Sequence, residues 1–131
     1  MEMNDSAPPS GGIYVHFPYC RRRCHYCDFA IVTPDQIPQE AYTEAVLSEL
    51  QLRAGSLPGS AQTLYFGGGT PSLWDAVHVG AVVESARQHH GLIPDAEITL
   101  ELNPEDVKDS SLEAYVDAGV NRLSLGVQSL L

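Results

Sequence analysis

The sequence predicts an α/β fold built on parallel strands, and three observations carry that reading. Short β-branched and aromatic runs alternate with helix-forming stretches in the order β-α-β-α-β-α-β. Every connection between strands is long enough to hold a crossover helix, as parallel pairing requires. The strands break off at glycine, proline or asparagine, and the chemically unusual residues gather at those breaks.

The first strand is Ile13-Tyr14-Val15-His16-Phe17, stopped by Pro18. A loop carrying the cysteines follows. Good helix formers run from Gln39 to Ala54, with Ala41, Ala45, Val46, Leu50 and Leu52 as the expected apolar stripe and Gly55 as the stop. Thr63 to Phe66 is the second strand, closed by Gly67-Gly68-Gly69. A second helix is expected from about Ser72 to His90, ahead of Gly91. Glu97 to Leu102 is the third strand, halted at Asn103-Pro104. Ser111 to Ala118 makes the third helix, and Asn121 to Val127 the fourth strand. Two architectures fit this order, a doubly wound open sheet and part of a (βα) barrel. Both place ligands at the carboxyl ends of the strands. Cys20 to Cys27, the glycine triplet, Glu101 to Glu105 and Gln128 all fall there, so four successive strand ends point at one site.

Composition excludes several classes of function. The chain has 131 residues, 44% hydrophobic and 18% charged, enough for one packed domain and too ordered in character for a disordered segment. Seventeen acidic residues against seven basic ones give a net charge of -10, which argues against nucleic acid or an anionic membrane as partner. No apolar run approaches the roughly 20 residues of a membrane span. Residues 1–12 are polar, with Pro8, Pro9, Gly11 and Gly12, and lack the features of a secretory signal. They are expected to be a loose leader before a domain over residues 13–131, and cytoplasmic residence is the default. With no helix after the fourth strand to cover it, the chain is expected to be the amino-terminal part of a larger unit.

Only three cysteines occur, all between positions 20 and 27. An odd number so tightly packed is a poor disulfide framework and suits metal better. Cys20, Cys24 and Cys27 have the spacing C-x3-C-x2-C. Structural zinc would need a fourth ligand, for which His16 or His25 is available. A four-iron cluster usually takes four cysteines, so three would leave one iron open to a ligand. Each flanking residue also has a plain reading. Glu101 sits in an alternating strand where Thr99, Glu101 and Asn103 could face solvent. Tyr14 and Tyr26 could be core. Arg21 to Arg23 could be a solvated loop, and His89 and His90 sit at a helix carboxyl end where a cation is mildly favoured.

Four motifs in order give the chain a resemblance: Tyr14 to Cys27, Tyr65-Phe66-Gly67-Gly68-Gly69-Thr70-Pro71-Ser72, Glu101-Leu102-Asn103-Pro104-Glu105, and Asn121 to Ser129. Together they resemble the radical S-adenosylmethionine (SAM) superfamily, and within it the oxygen-independent coproporphyrinogen III oxidase-like group. The resemblance implies the first half of a partial parallel (βα) barrel. It implies a 4Fe-4S cluster on Cys20, Cys24 and Cys27, whose open iron chelates SAM and whose electron releases a 5′-deoxyadenosyl radical. It also implies that Tyr14, Tyr26, Gly68, Gly69, Thr70, Glu101 and Gln128 contact or border SAM. Two functions compete within the group. One is oxidative decarboxylation of coproporphyrinogen III. The other is a haem chaperone of the HemW-type branch, which binds haem and passes it to acceptor proteins. Oxidases of the group carry a further cysteine two positions after the third cluster cysteine. Here that position is Phe29, as in the chaperone branch, so the resemblance favours the chaperone.

Overall fold

The computed structural model describes residues 11–20, 36–57, 59–104 and 109–125. Its elements are β1 (Gly11–Phe17), α1 (Gln39–Leu52), β2 (Ala61–Gly68), α2 (Ala76–His90), β3 (Glu97–Leu102), α3 (Asp109–Ala118) and β4 (Arg122–Leu125), with a 3-10 turn at Pro71–Leu73 before α2. The four strands form one parallel sheet in the order β1-β2-β3-β4. That sequential order decides between the two architectures. A doubly wound sheet reverses its strand order at a switch point, and no reversal occurs among these strands. The arrangement is the barrel type.

Register gives the sheet two faces of different chemistry. Ile13, Leu64 and Ile98 lie side by side, as do Val15, Phe66, Leu100 and Leu123. Successive side chains alternate across a strand, so these rows share one apolar face. All of them but Leu123, which is exposed, pack with Trp74, Val79, Val82, Val83 and Ala86 into a single core. On the other face Tyr14, Tyr65, Thr99 and Arg122 form one row; beyond it His16 lies beside Gly67 and Glu101 beside Ser124. Helix α1 packs against α2, and α2 against α3.

Several boundaries differ from the sequence expectation for identifiable reasons. Gly11 and Gly12, expected in the leader, open β1, where they pair with Ala61 and Thr63. The helix expected from Ser72 is interrupted because Trp74 is fully buried on an extended backbone (φ -85°, ψ 125°). Its indole stacks on Phe17 (5.1 Å between centroids) and donates to the Thr43 hydroxyl at 2.9 Å. The buried side of α1 also differs. Thr43 and Leu50 are buried there, with Tyr42, Val46 and Leu47 packed on the core, whereas Leu52 is 86% exposed and Ala41 and Ala45 face solvent. Tyr42 takes this place because its hydroxyl donates to the His16 carbonyl and its ring lies edge-on to Phe17. His90 does not face solvent at the helix end either. It is buried, with Nε2 2.8 Å from the Leu50 carbonyl, and ties the end of α2 to α1.

Candidate functional site

Chain direction brings the carboxyl ends of β1, β2 and β3 together, and the segments leaving them interlock. Gly69 N–H donates to the Phe17 carbonyl at 2.7 Å, and Thr70 N–H to the Tyr19 carbonyl at 2.9 Å. The glycine loop is therefore laced onto the segment that leads to Cys20. Backbone can approach this closely only without side chains in the way. A Cβ on Gly69 would stand 2.6 Å from the Tyr19 carbonyl oxygen and 2.9 Å from Cys20 Sγ. Gly68 adds a conformational demand, with φ at +114°. The Thr70 hydroxyl, itself buried, lies 3.5 Å from Cys20 Sγ and donates to it.

Glu101 closes the other side. Its Oε1 accepts the Gly68 N–H at 3.1 Å, and its Oε2 accepts the Tyr65 hydroxyl at 2.7 Å. Neither bond involves a cation. Glu101 lines a cavity of about 270 Å3 with Gly68, Gly69, Thr70, Asn103 and Ser124. Thr99, its neighbour on the same face of β3, is buried rather than solvated. The carboxylate acts on the phenols around it. The Tyr65 phenol is held above its ordinary value by its hydrogen bond to Glu101, then by burial, with the Ser124 hydroxyl acting the other way. Burial raises the Tyr14 phenol, helped by the charge of Glu101.

The structure thus brings Cys20, Gly68, Gly69, Thr70 and Glu101 to one place. Tyr14 lies beside the cavity rather than in it, 58% exposed, with its ring stacked on Tyr65 at 5.9 Å. Cys24, Cys27, Tyr26 and Gln128 lie outside the described residues, as do His25, Phe29 and Glu105. Sequence reasoning missed Tyr65 and Ser124. The signal was available in strand alternation, because Tyr65 shares the face of Gly67, and Ser124 stands beside Glu101. A separate hollow of about 330 Å3 runs between β1 and α1, lined by His16, Tyr42, Glu49, Arg53 and His90 among others. Tyr14 and His16 of the first motif line it, but no cysteine and none of Gly67 to Ser72 does.

The donor set around Cys20 fits a metal cluster with a small polar ligand beside it. Among the described residues no three metal-binding side chains meet, so the remaining donors must come from elsewhere. What the described residues supply is a thiol with its sulfur unobstructed by Gly69, a hydroxyl donating to that sulfur, and a carboxylate across an open cavity.

Comparison with known proteins agrees with this arrangement. The family model described as the Radical SAM superfamily matches residues 14–131. The mitochondrial "Radical S-adenosyl methionine domain-containing protein 1" of Bos taurus is 43% identical over 120 residues, 90% of this chain and 27% of its own length. The haem chaperone HemW of Mycobacterium tuberculosis is 38% identical over 137 residues, 99% of this chain and 35% of its own. Among solved structures, the coproporphyrinogen III oxidase HemN of Escherichia coli, a radical SAM enzyme, superposes with a TM-score of 0.79 at 26% identity, over 95% of this chain and 29% of that one. The chain spans about a third or less of the length of these relatives.

Proposed function

The chain belongs to the radical SAM superfamily, and on that footing we propose that it forms the cluster-binding and SAM-binding part of a haem chaperone. Membership implies SAM and a 4Fe-4S cluster as the resident groups. Cys20, Cys24 and Cys27 are the proposed cluster ligands. Tyr14, Tyr26, Gly68, Gly69, Thr70, Glu101 and Gln128 are the proposed SAM contacts. When bound, the two groups supply one-electron cleavage of a carbon–sulfur bond. The chain's own residues prepare the place. The Thr70 hydroxyl donates to Cys20 Sγ and steadies it, and Gly69 leaves that sulfur clear. Glu101 offers its carboxylate to a cationic ligand, with Gly68 and Tyr65 fixing its orientation.

The chaperone reading is carried by the relatives: those named haem chaperone HemW match at 34–41% identity, against 26% for the oxidase structure. Phe29 supports it, since a phenyl ring can neither ligate iron nor exchange electrons as the oxidases' extra cysteine could. The partners under this reading are haem and the proteins that accept it. Cytoplasmic residence belongs to the same proposal; the bovine relative is named as mitochondrial. No helix among the described residues is long and apolar enough to cross a membrane.

The test runs two assays on the full-length gene product, reconstituted without oxygen. A haem titration is expected to saturate at one equivalent. Coproporphyrinogen III, supplied with SAM and a reductant, is expected to come back with its carboxylates intact by mass spectrometry. Repeated loss of carbon dioxide without haem binding would replace the chaperone with the oxidase.

A further inference from the structure

The Tyr65 hydroxyl has no part in the motif reading of the site, yet it makes the shortest bond to Glu101. We infer that Tyr65 is a positioning residue: with the Gly68 amide it fixes the Glu101 carboxylate in the orientation that receives the cationic ligand. The inference rests on the proposed SAM site and extends it to a residue that the site reading does not include.

Three features of the chain support it. First, the two donors divide the carboxylate between them. Gly68 N–H takes Oε1 at 3.1 Å and Tyr65 O–H takes Oε2 at 2.7 Å, so neither oxygen can rotate without losing a bond. A carboxylate held by two neutral donors is oriented without being neutralised. Second, Tyr65 is itself held. Its ring stacks on Tyr14, 5.9 Å between centroids and 18° between planes. Third, the first glycine of the triplet makes room for that pair. A Cβ on Gly67 would stand 2.8 Å from the Tyr14 hydroxyl and 3.0 Å from Tyr65 Cε1. The three glycines then serve three separate approaches: Gly67 to the tyrosine pair, Gly68 to His16 and the Phe17 carbonyl, and Gly69 to the Tyr19-Cys20 segment. The phenol's raised titration, caused first by the bond to Glu101, agrees with a proton that stays on Tyr65. Tyr14, Arg122 and Ser124 are the other polar groups facing it.

The test compares SAM affinity by calorimetry in the anaerobically reconstituted full chain and in Tyr65→Phe, Glu101→Gln and the double variant. Iron content serves as the control for an intact cluster. Tyr65→Phe is expected to weaken SAM roughly tenfold, the scale of a hydrogen bond to a charged group. In the Glu101→Gln background the same change should alter affinity by less than about twofold, since coupled partners are not additive. A purely structural tyrosine would weaken both backgrounds alike, and that result would overturn the inference. So would wild-type affinity in Tyr65→Phe.

A second readout needs no ligand. With 13Cζ-labelled tyrosine, the Tyr65 signal (assigned by its loss in Tyr65→Phe) should titrate at lower pH in Glu101→Gln than in wild type, because the charge holding the phenolic proton has gone. If wild type fails to bind SAM, the proposed function fails. The titration then still decides the pairing: a shifted signal sustains it and an unshifted one refutes it.

Discussion

Gly69 and Cys20 show how tightly single residues are set against one another at the end of the sheet. The Cβ that Gly69 lacks would meet backbone at 2.6 Å, and backbone cannot swing aside as a side-chain tip can. Gly69→Ala is therefore expected to push the Tyr19-Cys20 segment off the glycine loop, breaking the Thr70 to Tyr19 bond and moving the sulfur. The change falls outside every helix, so the circular dichroism of the fold should be little altered while iron uptake on reconstitution falls well below wild type. Wild-type iron content in Gly69→Ala would show that the Cys20 segment is not held here. Glu101 teaches a different lesson at this scale. Alternation along β3 left open whether it meets solvent or a partner, and it is Gly68 and Tyr65, both distant in sequence, that give it partners. A sequence displays which residues are polar. It does not display which pair of them will meet across two strands.

Among the elements, α1 is joined to the sheet through a buried polar contact as well as apolar packing. The Trp74 indole donates to Thr43 Oγ1 at 2.9 Å in the interior, where it stacks on Phe17 and meets Phe66 edge-on and Tyr42 at a tilt. Thr43→Val keeps the shape and removes the acceptor, leaving a buried N–H without a partner. That should cost about 1–3 kcal/mol, read as a lower urea midpoint at unchanged slope. A midpoint within error of wild type would mean that this bond contributes nothing to holding α1. This contact also explains what was legible beforehand. All four strands and three helices were readable from β-branched runs, helix formers and glycine or proline stops, and the bounds of β3 were read as observed. The face of α1 was not, because buried Thr43 and half-buried Tyr42 turn inward for their hydroxyl bonds, which a purely apolar pattern cannot register. The start of α2 was misplaced for a related reason: burying Trp74 outweighs the helical preference of the residues around it. At the site, motif order pointed to Cys20, Gly68, Gly69, Thr70 and Glu101, whereas Tyr65 needed the register of β1, β2 and β3.

Across the whole molecule the sheet divides its labour between faces. The apolar face carries the core beneath three helices. The polar face, with Tyr14, Tyr65, Glu101 and Ser124, carries the proposed site at its carboxyl end. The apolar face is less well covered at β4, where Leu123 and Leu125 remain 44% and 59% exposed. Residues 1–131 by themselves should therefore associate, since clustered apolar side chains beside an open strand edge favour contact between copies. Sedimentation velocity over a concentration series should show species heavier than the 14.2 kDa monomer; a compact monomer throughout would show that β4 is adequately covered. The central claim is that the ends of these strands build one site in which Cys20, Cys24 and Cys27 hold an iron–sulfur cluster beside SAM. It is tested most directly by anaerobic reconstitution followed by electron paramagnetic resonance of the reduced protein with and without SAM. About four irons per chain are expected, as for a 4Fe-4S cluster, with a signal that SAM perturbs in wild type and that is absent from Cys20→Ala. Tight zinc without iron, or a cluster signal indifferent to SAM, would contradict the account.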